Sequence, residues 1–168
     1  FAGGTDLIVK MRRGEKCSNI VDITEIHDLK GIAEQNSCIS IGAASTHNEI
    51  SSNRVIRSLA SSLATACGWV GSPAIRNMGT IGGNLVNASP AADSLAPLLI
   101  HDGEVMLESK GGTRKMKVED FILAPYTTAI NSHELLTVIE IKGLSGYREG
   151  YKRVTKRAAW AISRLSVA

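Results

Sequence analysis

The segment from Gly68 to Ala92 constrains the fold most, because it is rich in Gly, Asn, Ser and Pro and is too long for a simple connector. Before it, short apolar strands alternate with helix-periodic segments, and after it the chain consists mainly of strands. This order predicts an α+β fold with an N-terminal α/β subdomain, residues 1–70, and a mainly antiparallel second subdomain with helices, residues 71–168. Loops of this length tend to be functional, so we expect a binding site here.

Two short strands are predicted in the first part of the chain. Asn19–Ile23 is a brief apolar run, and Cys38–Gly42 alternates apolar with polar residues, as a half-buried strand does. Between them, Ile26–Ile32 is expected to form a turn or a short helical piece.

Two helices are predicted to follow these strands. Thr46 precedes Glu49 by three residues, the spacing of a capping box in which each side chain satisfies a free amide of the first helical turn. Asn53 can cap a longer helix from about Arg54 to Cys67, because apolar residues recur there at a spacing of four on one face.

The final third is predicted to begin with a helix and to continue as antiparallel strands. The helix runs from about Ser94 to Ile100, with Asp93 or Ser94 as its cap. Gly111-Gly112 is a suitable hairpin turn between Glu104–Ser109 and Thr113–Val118. The other expected elements are a short helical stretch at Asp120–Ala124 and strands at Leu135–Ile141, Tyr151–Val154 and Ala161–Val167.

Composition argues against several classes of protein. The chain has 168 residues, a net charge of +3 and 4% aromatic residues, with no basic stripe of the kind that binds nucleic acid. Its three cysteines are far apart, unlike zinc or iron–sulfur ligands, and favour a reduced, cytoplasmic setting. No apolar run is long enough to span a membrane. Because the chain begins inside a glycine-rich motif and ends in an apolar run, we expect it to be truncated at both ends.

Two glycine-bearing segments carry the chemical signal. The first glycine loop is Ala2-Gly3-Gly4-Thr5-Asp6-Leu7, and the second glycine loop is Thr80-Ile81-Gly82-Gly83-Asn84. Glycine lets backbone amides approach a ligand closely, and successive amides in such a turn can form an anion-binding nest. Two nests could hold a pyrophosphate, although neither loop has the spacing of a P-loop or a Rossmann turn. The alternative is that both segments are ordinary turns.

Further motifs surround the two loops in a distinctive order and spacing. They are Ile41-Gly42-Ala43 with Thr46 and Glu49, Gly71-Ser72-Pro73, Ile75-Arg76-Asn77, Gly79–Asn84, Ala88-Ser89-Pro90-Ala91-Ala92-Asp93, Glu134–Ile141, and Tyr151-Lys152 with Arg157. Together they resemble the FAD-binding medium subunit of molybdenum hydroxylases of the xanthine dehydrogenase and carbon monoxide dehydrogenase type. The resemblance spans most of the chain, and the long central motif is highly specific.

The resemblance implies that FAD binds in an extended form between the two subdomains. Both glycine loops would wrap its pyrophosphate and ribityl region. Asp93 matches a polar contact of the cofactor, Leu136 an apolar wall of the site, and Lys152 a lysine near the flavin ring. Val70 occupies a position where some relatives have an aromatic residue close to the cofactor.

Each of the polar assignments has a physical reason and an alternative. Lys152 would stabilise negative charge on reduced flavin and so raise the reduction potential; alternatively it is a solvated strand lysine. Asp93 can accept hydrogen bonds from hydroxyl or ring N–H groups; alternatively it is a helix cap. His47 is expected to face solvent, and Arg76 could reach a phosphate or pair with an acid.

The resemblance also implies an oxidoreductase complex in which this chain binds only FAD and supplies no catalytic or metal-binding residue. A molybdenum cofactor on a large partner subunit would oxidise the substrate, and [2Fe–2S] clusters on a small partner subunit would pass the electrons to FAD. The flavin would relay them to a terminal acceptor. The alternatives are a flavin oxidoreductase of the same superfamily that acts directly on its substrate, and a non-catalytic structural fragment.

Overall fold

The computed structural model describes residues 1–156 and 162–168. A 3-10 turn spans His27–Leu29. The helices are α1 (Leu7–Arg12), α2 (His47–Ser52), α3 (Arg54–Leu59), α4 (Ser61–Trp69), α5 (Pro73–Met78), α6 (Ile81–Asn87), α7 (Leu95–Ile100) and α8 (Val118–Phe121). The strands are β1 (Ile32–Gln35), β2 (Cys38–Gly42), β3 (Glu104–Ser109), β4 (Gly112–Lys117), β5 (Ile122–Ala124), β6 (Thr127–Thr128), β7 (Leu135–Lys142), β8 (Lys152–Thr155) and β9 (Ser163–Val167).

A five-stranded antiparallel sheet forms the centre of the molecule, in the order β1-β2-β7-β3-β4. The register pairs Ile39 with Ile141 and Ile41 with Ile139, and all four side chains are buried. Because alternate residues of a strand point to the same face, these isoleucines form an apolar surface that shares one core with residues of α2, α3, α4, α6 and α7. The predicted α+β class is confirmed.

This sheet contains strands from both sides of residue 70. β1 and β2 precede that position, whereas β3, β4 and β7 follow it. The proposed division into residues 1–70 and 71–168 therefore does not coincide with a boundary between sheets, and it stays a prediction.

Most elements with a clear local signal form as predicted. They include β2, the β3–β4 hairpin, β7, the 3-10 turn and the capping box, in which the Thr46 side chain accepts from the Glu49 amide and the Glu49 carboxylate accepts from the Thr46 amide. The strand predicted from Tyr151 begins one residue later as β8. The strand predicted from Ala161 is described from Ser163 onward, because Ala161 and Arg157 lie outside the described residues.

The strand predicted at Asn19–Ile23 is wrong. This segment has no regular structure, and Val21 is 70% exposed. Its backbone bonds to Phe1, which donates to the Val21 carbonyl and accepts from the Ile23 amide, and the Ile23 carbonyl accepts from the Ile26 amide in a local turn. An apolar run needs a neighbouring strand to complete a ladder, and one terminal residue does not provide it.

The glycine-rich segment is largely helical, so the prediction of a long loop is also wrong. Ser72 caps α5, with Pro73 in its first turn, and Thr80 caps α6. Within α6, a Cβ on Gly82 would lie 2.6 Å from the Ala43 Cβ. Glycine therefore lets α6 lie directly against the end of β2, and the composition that suggested a loop instead reflects close packing.

Two further helical boundaries differ from prediction. The helix expected over Arg54–Cys67 is divided into α3 and α4 at Ala60, whose φ of −150° and ψ of 53° are not helical. The helical stretch expected at Asp120–Ala124 begins earlier, as α8, and ends in β5. The separate start of α4 is explained by a cap on its N-terminus from a residue far along the chain.

Glu149 supplies that cap to α4. Its carboxylate accepts from the backbone amides of Ser61 and Ser62 at 2.9 and 3.0 Å and from the Ser62 hydroxyl at 2.7 Å. The same carboxylate lies 3.1 Å from Nε2 of His101, a fully buried residue whose Nδ1 lies 2.7 Å from the Lys142 carbonyl oxygen. One acidic side chain therefore connects α4, the end of α7 and the chain after β7.

We predict that Glu149→Ala lowers the free energy of unfolding by about 3 kcal/mol, because it leaves two helix amides without their acceptor and removes the carboxylate beside the buried imidazole of His101. Chemical denaturation of the full-length chain measures the change. Glu119→Ala is the matched control, since the Glu119 side chain is 64% exposed and its ion pair with Lys117 is long, at 3.9 Å. Equal denaturation midpoints for the two variants would contradict this prediction.

Candidate functional site

The two glycine loops lie against each other. A Cβ on Gly3 would sit 1.7 Å from the Met78 carbonyl oxygen, so the first loop can occupy this position only without a side chain. Thr5 Oγ1 lies 3.5 Å from the point that a Cβ on Gly79 would occupy. A β-bridge joins Thr80 to Thr46 just beyond this contact. The structure thus brings the start of the chain and the segment before α6 to one place, as the sequence predicts.

The first glycine loop has backbone amides that are available to a ligand. Among the described residues, no amide from Gly3 to Leu7 donates to another group of the chain. Gly4 has a φ of +67°, the left-handed conformation that turns successive amides toward one side of a loop. Asp6, the residue before α1, makes no side-chain capping bond. This loop has the properties of an anion-binding turn.

The second glycine loop differs, because the amides of residues 81–84, four of its five, are already used inside the protein. The amides of residues 81 and 82 donate to the carbonyl oxygens of residues 45 and 43, at 3.0 and 2.9 Å. Those of residues 83 and 84 donate to Oγ1 and the carbonyl oxygen of Thr80. The prediction of a second amide nest is therefore wrong. This loop can still offer the Thr80 hydroxyl hydrogen and the NH₂ group of Asn84.

His47 is buried beneath the contact between the loops, so the prediction that it faces solvent is wrong. The residue is 2% exposed, and its amide donates to the Gly79 carbonyl at 3.0 Å. Its ring atom Cδ2 lies 3.3 Å from the point that a Cβ on Gly79 would occupy. The i, i+3 spacing to buried Ile50 is a sequence signal that could have revealed this orientation.

The imidazole of His47 has no hydrogen-bond partner among residues 1–156 and 162–168. Nδ1 is closed off from solvent and contacts no donor or acceptor in the described part of the chain. Burial lowers the pKa of His47 to about 4; the carboxylate of Asp93 opposes this change, and the guanidinium of Arg76 adds to it. His47 is consequently neutral at pH 7. An unpaired buried polar atom costs about 1–3 kcal/mol and is characteristic of a functional position.

Asp93 is held by residues from the last part of the chain. Its Oδ1 accepts from the hydroxyls of Tyr151 and Ser163 at 2.6 and 2.5 Å, and its Oδ2 accepts from Arg153 at 2.7 Å in a buried ion pair. The alternative of a helix cap is wrong, because these bonds direct the Asp93 carboxylate to the last part of the chain, and Ser94 is the residue at the N-cap of α7, without a side-chain capping bond. A carboxylate has about four acceptor positions, and donors among the described residues occupy three of those of Asp93.

A continuous set of contacts joins the glycine loops to this carboxylate. Ser94 donates to the Asn84 side-chain oxygen at 2.6 Å, which places Asp93 next to the second loop. Beyond Asp93, the Tyr151 ring lies 5.7 Å from Trp69, and the Arg153 guanidinium lies 5.5 Å from the same indole. Trp69 and the neighbouring half-buried Val70 end α4. No local sequence signal linked Tyr151 or Arg153 to Asp93.

The remaining predicted residues occupy different environments. Leu136 is 3% exposed in the core, on the strand β7 against which α6 packs. Lys152 is exposed at the start of β8, and its ammonium group makes no hydrogen bond or ion pair with the described residues. Arg76 donates to the carbonyls of Val70 and Gly71, so among the described residues it has no acidic partner.

We predict that His47 makes the protein sensitive to mild acid. The unfolded chain takes up the histidine proton near pH 6.5, whereas the folded chain resists it until about pH 4, so stability falls as the pH is lowered through this window. The loss is about 3 kcal/mol. Denaturation at several pH values should show a shallower decline for His47→Gln. The exposed control His133→Gln should match the unmodified chain; equal slopes for all three proteins would contradict this assignment.

Comparison with known proteins assigns the domain. The model of the "FAD binding domain in molybdopterin dehydrogenase" matches residues 1–141. The chain is 36% identical over 170 residues to the glyceraldehyde dehydrogenase medium chain of Sulfolobus acidocaldarius, covering 100% of this chain and 60% of that protein. It is 38% identical over 168 residues to the nicotinate dehydrogenase FAD-subunit of Eubacterium barkeri, covering 97% and 57% respectively.

The fold agrees with these similarities. A chain of carbon monoxide dehydrogenase from Hydrogenophaga pseudoflava superposes with a TM-score of 0.91 at 29% identity, over 96% of this chain and 57% of that one. Fold and loops together define a flavin-binding domain. The chain belongs to the family of FAD-binding domains in molybdopterin dehydrogenases, which confirms the resemblance and the cofactor expected from the sequence. It spans about six tenths of the length of these relatives.

The described residues fit one part of FAD in particular, its diphosphate. The amides of the first loop that are free among the described residues suit an anion, and the absence of a side chain on Gly3 lets the loop pack directly against Met78.

No group of three or more His, Cys, Asp or Glu residues within residues 1–156 and 162–168 is arranged to bind a metal ion. Within the same ranges, no helix is long and apolar enough to cross a membrane.

Proposed function

We propose that this chain is the FAD-binding electron-transfer subunit of a cytoplasmic molybdenum hydroxylase complex, and thus part of an oxidoreductase. Bound FAD exchanges electrons singly or in pairs, which couples one-electron iron–sulfur clusters to a two-electron acceptor. The observation that carries the proposal is the first glycine loop, whose unpaired amides are fixed against the segment before α6 by the contact of Gly3 with Met78.

The two glycine loops have different tasks in this proposal. The amides of the first loop, Ala2–Leu7, bind the diphosphate. Thr80 and Asn84 of the second loop supply polar side-chain hydrogens to the same region, while Ile81, Gly82 and Gly83 form the packed helix turn that supports it. Rigid backbone donors suit this role, because they hold their orientation before the cofactor arrives.

The remaining assigned residues contact other parts of FAD in this proposal. The described residues donate three hydrogen bonds to Asp93, which in this proposal accepts a further one from the cofactor, and the bond from Arg153 fixes the strand that carries Lys152. Lys152 provides a positive charge near the flavin ring, Val70 contributes an apolar contact, and Leu136 closes the inner wall. None of these residues acts on a substrate, so the chemistry of substrate oxidation is assigned to another subunit.

The partners in this proposal are a large subunit with the molybdenum cofactor and a small subunit with [2Fe–2S] clusters. The names "medium chain" and "FAD-subunit" describe relatives that are components of larger enzymes. In this proposal the metal centres belong to those two partner subunits, and this chain binds FAD.

Gly3→Ala in the full-length subunit tests the function directly. The added methyl group would meet a backbone oxygen at 1.7 Å, which no side-chain rotation relieves, so the first loop must move. We expect FAD affinity to fall by at least about 100-fold, which is about 3 kcal/mol. In the complex, substrate should still reduce the iron–sulfur clusters, whereas reduction of the terminal acceptor should be lost.

Gly111→Ala is the matched control for this experiment. Its nearest neighbour outside the adjacent residues would be the Ser109 hydroxyl at 3.6 Å, an ordinary contact, so FAD affinity should be unchanged. Calorimetry measures affinity, and rapid-mixing absorbance separates cluster reduction from acceptor reduction. A full-length subunit that binds no FAD, or a flavin-free complex that still reduces its acceptor at the normal rate, refutes the proposed function.

Lys152→Met tests the electrostatic role of Lys152. Loss of a positive charge near the flavin should lower its two-electron reduction potential by roughly 20 mV, equivalent to about 1 kcal/mol. Spectroelectrochemistry of the full-length subunit gives the potential. Lys110→Met removes an equally exposed charge from the turn between β3 and β4 and should leave the potential unchanged. If both variants match the unmodified protein, Lys152 does not influence the flavin.

A further inference from the structure

His47 combines two properties that ordinary core residues do not share. It is almost fully buried, yet its imidazole forms no hydrogen bond with any described residue. Buried polar side chains are nearly always paired, and an apolar side chain would fill the same space without an unpaired nitrogen. The exception therefore points to a partner that is not a residue of the described chain.

The two ring nitrogens of His47 have different surroundings. Nδ1 is closed off, whereas Nε2, which also lacks a partner in the described residues, is not sealed from its surroundings. An orphaned buried acceptor is tolerated better than an orphaned buried N–H. The proton of the neutral ring is therefore assigned to Nε2, and Nδ1 keeps its lone pair.

The ring of His47 lies beside the meeting point of the glycine loops. Cδ2, the carbon bonded to Nε2, is the ring atom nearest to the Cβ position of Gly79, and Thr5 Oγ1 approaches the same point. The His47 amide is hydrogen-bonded to the Gly79 carbonyl, which fixes the ring relative to the loops. Because Nε2 is bonded to Cδ2, it belongs to the ring edge that lies close to this meeting point, and a donor there is near the first glycine loop.

We propose that His47 is a cofactor-binding residue whose Nε2–H donates a hydrogen bond to a diphosphate oxygen of FAD; this proposal rests on the function proposed above. The ring adds a neutral, fixed donor to the first-loop amides. It supplies a hydrogen bond from the side of the second loop, where the amides of residues 81–84 are used inside the protein.

Three variants of the full-length subunit test this assignment. His47→Gln can place an amide N–H close to the position of Nε2, whereas the N–H of His47→Asn reaches only the level of Nδ1, and His47→Leu has no donor. We expect FAD affinity to fall about tenfold in the Asn and Leu variants, the effect of one lost hydrogen bond, and to stay within about threefold in the Gln variant. His133→Leu, at an exposed position, is the control.

Phosphorus NMR of bound FAD provides a readout that a packing role would not affect. The diphosphate resonances should be the same in the unmodified and Gln proteins and shifted in the Asn and Leu proteins. Equal affinities and equal resonances across all three variants overturn the proposal, as does a Gln variant that behaves like the Leu variant. Failure of the unmodified subunit to bind FAD would instead refute the proposed function, so the two failures are distinguishable.

Discussion

The contact of Gly3 with the Met78 carbonyl is the interaction on which the rest of the site depends. The oxygen occupies the space in which a side chain of residue 3 would begin, so the two backbones approach each other directly. This approach fixes the first glycine loop without hydrogen bonds from its own amides, which therefore stay available. A loop held in place by hydrogen bonds from its amides would have no amide donors left for an anion. A loop held by close backbone packing keeps its amide donors.

The glycines of the second loop allow close packing of α6 rather than ligand binding. Gly82 removes a side chain where α6 meets Ala43, and the amides of this turn are directed inward to the end of β2. The second loop is thus a support that joins the sheet to the first loop. His47 lies between the two loops. Its backbone amide donates to the Gly79 carbonyl, but its ring nitrogens have no hydrogen-bond partner within the described chain. Two loops of similar glycine content therefore have different roles: the first offers amides for binding, and the second packs against the sheet and supports the first.

Local signals explain which parts of the fold could be predicted. The alternation of Cys38–Gly42 and the capping box at Thr46 depend only on near neighbours, and both form as expected. The break at Ala60 depends on Glu149, which is 88 residues from Ser61, and no periodicity reveals such a cap. The helices α5 and α6 were hidden by glycine-rich composition, although Ser72 and Thr80 are ordinary capping residues.

The site was predictable to a similar extent. The sequence motifs correctly indicated that the two glycine loops belong together, because both carry recognisable spacing. They could not show that the amides of one loop are used internally, since the acceptors at residues 43 and 45 come from the end of another strand. Nor could they show that His47 is buried, because burial is decided by the packing of Gly79 and the first loop over the start of α2.

Asp93 illustrates how a residue can serve a site through the structure that it holds. A two-stranded sheet such as β8–β9 is marginal by itself, and Asp93 fixes it through Arg153, Ser163 and the adjacent Tyr151. Because successive residues of a strand point to opposite faces, Lys152 faces away from the buried carboxylate. The same acid that anchors the hairpin therefore leaves the lysine exposed, and in the proposed function this is what makes its charge available to the flavin.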